Sequence, residues 1–531
     1  VGKHIIIVGG GIGGLSSAVR LAADGHRVTL YEKNENTGGK LNYWQIPHPA
    51  RPLENPFRFD TGPSLLTLPL IFADLFAYAR RDVRNALSIQ KLDPVARFVW
   101  RDRQTFELRA NRSELLDQVR QFAADDVRGF EKLLTYGQHI WDLSGEFFLT
   151  RSPEQAMRGD GAFSPFNALK MLSIPLRIGM FRKFSSVIDR HIRSPRLREV
   201  LYQYATYSGA SPFLAPATLA VIPYVELGIG GWYVQGGMYQ IARAIEALAR
   251  DLGAEIHTQS PVRRVLVDPA YKRGAIGVTR GVELCNGTEE PADAVIVNAD
   301  VVYAYRDLIE PRYRKKFNDD HLKQLEPGGS GMVLLLGVDG TYPQLAHHTK
   351  FMPDDYTSDL RAMFQTRTIP DDPCIYVCAS TRSDPTQAPD GCENLFVLCS
   401  APPIDGKIDW SVQGQIYRDK IVRTLEERFG LTDLSRRIVV ERRYTPADLL
   451  SVYNANAGSI YGISSNGIKK AFLRPPNRDR DIAGLFFAGG ATHPGGGLPL
   501  VALSGKIASE LTCEYLATLP TGSNTARSSP A

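Results

Sequence analysis

A glycine run and one acid near the start of the chain carry its clearest chemistry. Gly9, Gly11 and Gly14 form a G-x-G-x-x-G pattern with Gly13 inside it, and Glu32 follows eighteen residues after Gly14, with Lys33 beside it. In such a run Gly9 permits a tight turn, Gly11 lets backbone approach a pyrophosphate, and Gly14 lets a helix pack closely on a strand. A helix that opens at this turn offers free N–H groups and a positive dipole end to an anion. A carboxylate at Glu32 can accept bonds from both hydroxyls of a ribose and would repel a 2′-phosphate. The set describes a dinucleotide site.

The elements needed to hold these residues are legible around them. His4 to Val8 is a β-branched apolar run that reads as a buried parallel strand, Leu15 to Ala23 has helical spacing, and Arg27 to Tyr31 is a second strand. A second small-residue turn follows at Gly38-Gly39-Lys40, then Phe59-Asp60-Thr61-Gly62-Pro63-Ser64. Two such turns side by side suit a long, buried FAD better than a nicotinamide dinucleotide that dissociates in every turnover. Near the other end, Ile482 to Ala488 reads as a strand entering Gly489-Gly490. The stretch from Ala491 to Pro499, with Gly497, Leu498 and Pro499 at its close, then leads into a helix over 500–516. This is a second anion-binding strand, turn and helix, so both ends of the chain are expected to converge on one extended cofactor.

These motifs resemble the FAD-dependent amine oxidase and carotenoid desaturase superfamily. With Trp232 to Met238, Asn298 to Asp300, Leu345 to Thr349 and above all Thr492-His493-Pro494-Gly495, the likeness narrows to the bacterial and fungal phytoene desaturases, up to about Leu516. The resemblance implies an α/β fold, with a Rossmann-like FAD-binding domain and a discontinuous α+β substrate domain carrying a helical, membrane-associating part. It implies that Val262 meets the adenine through its backbone and that Asn298 and Asp300 close a cofactor-domain strand. Lys40 stands where the family pattern has Arg, keeping the charge without the fork of donors. The implied reaction is desaturation of a C30 or C40 isoprenoid such as phytoene in carotenoid biosynthesis, with hydride passing to the flavin. Related carotenoid or retinoid isomerases, saturases and terminal oxidases share the pattern. An amine oxidase and a non-catalytic flavoprotein carrier are the readings from other classes.

Desaturation also needs a route for a proton. His493 lies in the loop expected near the flavin and histidine titrates near neutral pH; the competing role for it is to fix that loop by bonding a backbone carbonyl. Tyr207, Glu226 and Tyr233 are further options. His347 and His348 are expected not to form a metal pair, since neighbours on a strand point to opposite faces. The six cysteines lack zinc spacing, and no histidine is expected to complete a site with Cys374 and Cys378. No metal is expected.

The totals bound the rest. A chain of 531 residues, 43 % hydrophobic, suits two or three globular domains. We divide it into a FAD-binding domain over 1–70, 234–325 and 446–516, a substrate domain over 71–233 and 326–445, and a disordered tail over 517–531. From Leu70 to Tyr233 the segments 113–122 and 127–147 read as helices. A net charge of +5 argues against nucleic acid. Phe166 to Phe184 mixes apolar residues with bases, and from Lys170 to Arg198 eight bases face one acid, Asp189. That composition suits a solvated helix face around a hydrophobic core or a peripheral membrane contact from the cytoplasmic side, and the implied polyene substrate, which resides in the bilayer, favours the second. No signal-peptide pattern opens the sequence and no eighteen-residue apolar run crosses a bilayer. With only one dinucleotide fingerprint, oxygen or a quinone is the expected electron acceptor.

Overall fold

The computed structural model describes residues 2–145, 149–151, 154–155, 177–272 and 274–520. His4–Val8 is the middle strand of a five-stranded parallel sheet, in the order Leu485–Phe487, Ala294–Val297, His4–Val8, Arg27–Tyr31, Glu255–His257. Successive side chains on this strand go to opposite faces, and both faces are covered, which is why the run is continuously apolar. Ile5 and Ile7 pack with Leu15, Ile245 and Ile507 from the helices Ile12–Ala23, Gln240–Asp251 and Leu498–Leu516. Ile6 and Val8 pack on the other face with Val265 and Val282, from the hairpin of Val262–Lys272 and Ala275–Leu284.

A seven-stranded sheet forms the other half, in the order Ile438–Tyr444, Ser330–Asp339, Cys392–Ala401, Ile375–Ala379, His348–Phe351, Ala96–Val99, Thr105–Leu108. Its faces are also sorted by alternation. Met332, Leu334 and Leu336 meet Ile421 and Leu425 of the helix Trp410–Phe429. Val333 and Leu335 point the other way, toward Phe57, Phe59 and Phe396.

The stretch from 71 to 233 carries strands as well as helices, namely Ile89–Lys91, Ala96–Val99 and Thr105–Leu108. Each is three or four residues long, too short for alternation to register, and Ala96–Val99 is recruited by parallel pairing with His348–Phe351. The helix read over 127–147 runs Val127–Ile140 and passes into a π-helical turn, Trp141–Gly145. The helix beginning near residue 113 is Arg112–Phe122, capped by Asn111, whose side chain accepts the Ser113 N–H at 2.9 Å. Most of the basic apolar segment, 166–176, and the tail beyond 520 lie outside the described residues. Among the described residues no helix is long and apolar enough to cross a membrane.

Candidate active site

The glycine turns from the two ends of the chain meet. Gly38 N–H donates to the Gly10 carbonyl at 2.7 Å, which sets the second turn beside the first. A Cβ on Gly13 would stand 3.2 Å from the Gly489 nitrogen, and one on Gly505 only 2.3 Å from the Gly13 carbonyl. Ser17 Oγ, one turn into the first helix, donates to the Gly505 carbonyl at 3.0 Å. Only residues without side chains allow the first and last helices this approach. Their N-terminal ends both open onto one cavity, and neither Gly11 nor Gly497, at the two N-caps, supplies a side-chain cap. Two sets of unsatisfied helix N–H groups facing one space suit a diphosphate.

The cavity is about 810 Å³ and its lining is mainly apolar. Gly9, Gly11, Gly13, Glu32, Lys33, Gly39, Lys40, Gly62, Pro63, Ser64, Val262, Asn298, Asp300, Gly489, Gly490, His493, Gly497, Leu498 and Pro499 all border it. Gly14 does not border it. A Cβ there would sit 2.2 Å from the Gly9 carbonyl, so Gly14 serves the packing of helix on strand. Glu32 accepts the Gly10 N–H at 2.7 Å and the Asn34 N–H at 2.8 Å. Lys33 donates to the Ser451 carbonyl at 3.1 Å. Lys40 donates to the carbonyls of Ser459 and Ile460, at 3.0 and 2.6 Å, and burial pushes its pKa down to about 8, with the Asp300 carboxylate opposing. Asp300 itself caps a short helix by accepting the Val302 N–H at 3.0 Å.

His493 has its Nε2 within 2.9 Å of the Arg151 carbonyl, while its own carbonyl accepts from Asn477 and Ser504 at 2.9 and 2.8 Å. These bonds match the loop-fixing role. Tyr233 does not border the cavity; its ring packs edge-on against His347 at 4.7 Å. Its phenol is buried behind the wall.

Glu226 and Tyr207 do come together on the cavity wall, joined by a residue that motif reading missed. Lys350 lies between the rings of Tyr207, Tyr376 and Phe98, its Nζ 5.1, 5.8 and 5.7 Å from their centroids. Tyr204 OH donates to Glu226 at 2.9 Å. Burial raises the Glu226 carboxyl, partly offset by Lys350, and lowers the Lys350 ammonium, partly offset by Glu226. No ion pair within 4.0 Å joins the two among the described residues. Tyr376 continues the cluster, its hydroxyl 2.6 Å from Ser64 Oγ and 2.7 Å from His348 Nδ1. On the far side Tyr461 touches Gly496 of the C-terminal glycine loop, where a Cβ would meet its ring at 3.2 Å. Arg474 was also missed. It is held by Ser465 Oγ at 2.6 Å and the Gly490 carbonyl at 3.3 Å, and burial lowers its pKa to about 10. The available signal for Lys350 was a lysine inside the fully buried strand His348–Phe351, and it points into the cavity while Phe351, on the opposite face, packs into the core.

Residues 12–512 match the family described as flavin containing amine oxidoreductase. The chain belongs to that family. It is an FAD-dependent oxidoreductase, and the paired helix ends, glycine turns and buried cavity fit the cofactor of this flavin family. Among relatives, a 4,4'-diapolycopene oxygenase of Methylomonas sp is 35 % identical over 507 residues, covering 95 % of this chain and 97 % of the relative. A 4,4'-diaponeurosporene oxygenase of Staphylococcus haemolyticus (strain JCSC1435) is 34 % identical over 508 residues, covering 95 % and 96 %. The flavin-family fold also appears in cyclohexylamine oxidase from Brevibacterium oxydans IH-35A, with a TM-score of 0.59, 15 % identity, and 97 % and 100 % of the two chains covered. At that identity the likeness concerns the fold alone.

Proposed function

We propose that this flavoenzyme oxygenates the end of a long, linear polyene of the diapocarotenoid type, in preference to desaturating phytoene. The observation that carries the reading is the Glu226, Lys350 and Tyr207 cluster in the wall of a mainly apolar cavity. If substrate and product were both hydrocarbons, Lys350 and the second oxygen of Glu226, which has no hydrogen-bond partner among the described residues, would gain nothing to bond, and incompletely partnered buried polar groups are costly. The oxygen-bearing chain end formed as the terminal methyl group is oxidised supplies the partner: Lys350 donates to its oxygen, and Glu226 accepts from its hydroxyl or takes up a proton. The names of the oxygenase relatives support the same preference.

FAD, when bound, supplies the electron acceptor for the organic substrate and a route to dioxygen. We assign it to the N-terminal and C-terminal segments of the split FAD-binding domain. Glu32 would face the ribose, the N–H groups at Gly11 and Gly497 the diphosphate, and Ser64 the flavin side nearest Tyr376. The remaining residues exclude water from the apolar passage, hold the chain end against the Tyr207 and Tyr376 rings, and handle protons at Glu226. Oxygen is the electron acceptor in this scheme.

Membrane docking belongs to the same reading, since such a polyene resides in the bilayer. Phe181 (65 % exposed), Leu214 (41 %) and Leu473 (76 %) are surface apolar side chains on three neighbouring segments, tied by Phe184 N–H to the Ala215 carbonyl and Gly467 N–H to the Leu214 carbonyl. Arg182 and Lys183 lie beside Phe181, and Ile178, Ala471 and Phe472 of the same segments line the cavity. A mouth flanked by apolar side chains and bases suits peripheral contact with anionic lipid.

Expression in cells that accumulate 4,4'-diaponeurosporene or 4,4'-diapolycopene tests the proposal. The expected pigments gain mass by oxygen; products that only lose pairs of hydrogens would return the enzyme to the desaturases.

A further inference from the structure

A second cluster reaches from the cavity wall, where His348 borders the cavity, to the layer behind it, where His347 and Cys378 lie. His348 and Cys378 are register partners on adjacent antiparallel strands, so their side chains leave the same face of the sheet. His347 stands just before the strand, where alternation does not bind it, and its ring lies 4.5 Å from that of His348. This overturns the expectation that the two histidines point apart and that Cys378 has no histidine partner. One ligating atom from each of the three side chains lies within 4.8 Å of the other two, and all three residues are buried.

The imidazoles are arranged as metal ligands are. Each Nδ1 is held by a hydroxyl, His347 by Ser383 Oγ at 2.8 Å and His348 by Tyr376 OH at 2.7 Å. Outer bonds of this kind fix ring orientation and leave the other nitrogen for a metal. Both Nε2 atoms are buried and have no hydrogen-bond partner among the described residues.

The surrounding charge is also unbalanced. Asp384 is a buried carboxylate and Asp60 a part-buried one, and their fields reach His347 and Cys378 respectively. They accept backbone N–H groups, Asp60 from Met238 and Tyr239 and Asp384 from Gly236. Neither has a basic side chain within 4.0 Å among the described residues. Lys350 faces His348 from the cavity side and opposes a cation there. The similar group His48, Asp339 and Cys392 differs, because Arg51 already donates to Asp339 and Cys392.

We propose that His347, His348 and Cys378 bind one borderline-to-soft transition metal ion, zinc(II) or copper(I), through the two Nε2 atoms and Sγ. Binding forms the metal–sulfur bond as the Cys378 thiol releases its proton to solvent, with no change of oxidation state. The ion would clamp the strands His348–Phe351 and Ile375–Ala379 and so fix Tyr376 against Ser64 on the cavity wall.

The test uses the full-length FAD-loaded protein, stripped with chelator, then reloaded in separate arms with zinc(II) alone or anaerobically with copper(I) alone. After gel filtration, elemental analysis is expected to find about one metal per chain in at least one arm. X-ray absorption at that metal's edge should show one sulfur, at about 2.3 Å for zinc, together with nitrogen at roughly 2.0–2.1 Å. His347→Gln and Cys378→Ser, neither of which borders the cavity, should each weaken retention about tenfold or more with FAD content unchanged. A variant-independent readout is the melting temperature of the stripped protein, which should rise on reloading. Metal at background in both arms would overturn the proposal in favour of a trapped water. Metal retained undiminished in both variants, or metal without sulfur in its shell, would overturn it equally.

Discussion

Asn298 donates its side-chain N–H to the Gly9 carbonyl at 3.1 Å, and its Oδ1 stands 3.0 Å from where a Cβ on Gly489 would be. One amide at the end of a central strand therefore touches the glycine turns from both ends of the chain. It orders the space between them.

Removing that amide should weaken FAD binding. Asn298→Ala leaves the Gly9 carbonyl without its partner, and Gly11→Ala puts a methyl 2.9 Å from Asn298 Nδ2. The expected cost for Asn298→Ala is roughly 1–3 kcal/mol, or about ten- to a hundredfold in FAD affinity if it falls wholly on binding. Flavin fluorescence titration of the apoprotein measures it.

Glu226→Gln and Lys350→Met should each lower the rate of terminal oxidation by about a hundredfold or more, the usual scale for losing a positioned proton-transfer group. FAD content should stay the same, because neither residue belongs to the glycine turns. Turnover and flavin absorbance on the same preparation separate the two effects.

Lys40 gives the apoprotein a signed pH dependence. Its pKa is about 8 when folded, against an ordinary value of 10.5, so between these limits the unfolded chain holds a proton that the folded chain has released. Stability then rises with pH through that window, and the contribution is at its least favourable below pH 8. Thermal melts from pH 7 to 10 should show this upward component in the wild type, and Lys40→Met should lack it.

The sequence made the glycine turns, Glu32 and the C-terminal loop legible because each sits in a contiguous strand, turn and helix. The cluster around Lys350 was not legible in the same way. Glu226, Lys350 and Tyr376 come from a π-helical turn and two strands far apart in the chain, and only sheet pairing brings them together. His347 was misread for a related reason: strand alternation was applied one residue beyond the strand's edge. His493 borders the cavity, and its bond to Arg151 depends on a segment with no recognisable motif.

The surface around Phe181 and Leu473 should govern lipid binding. Phe181→Asp and Leu473→Asp remove side chains worth about 1.5–3 kcal/mol each when fully buried, so vesicle affinity should fall by about ten- to a hundredfold. Flotation with anionic vesicles reads that loss, and activity on detergent-solubilised polyene should be unchanged.

The most direct test of the account is the fate of dioxygen. Purified FAD-loaded protein is incubated with 4,4'-diaponeurosporene under isotopically heavy oxygen, carbonyl products are reduced at once to prevent exchange with water, and the polyene is analysed by mass. Heavy oxygen in the polyene is the predicted result. A product that has lost hydrogen and carries no heavy oxygen would contradict it.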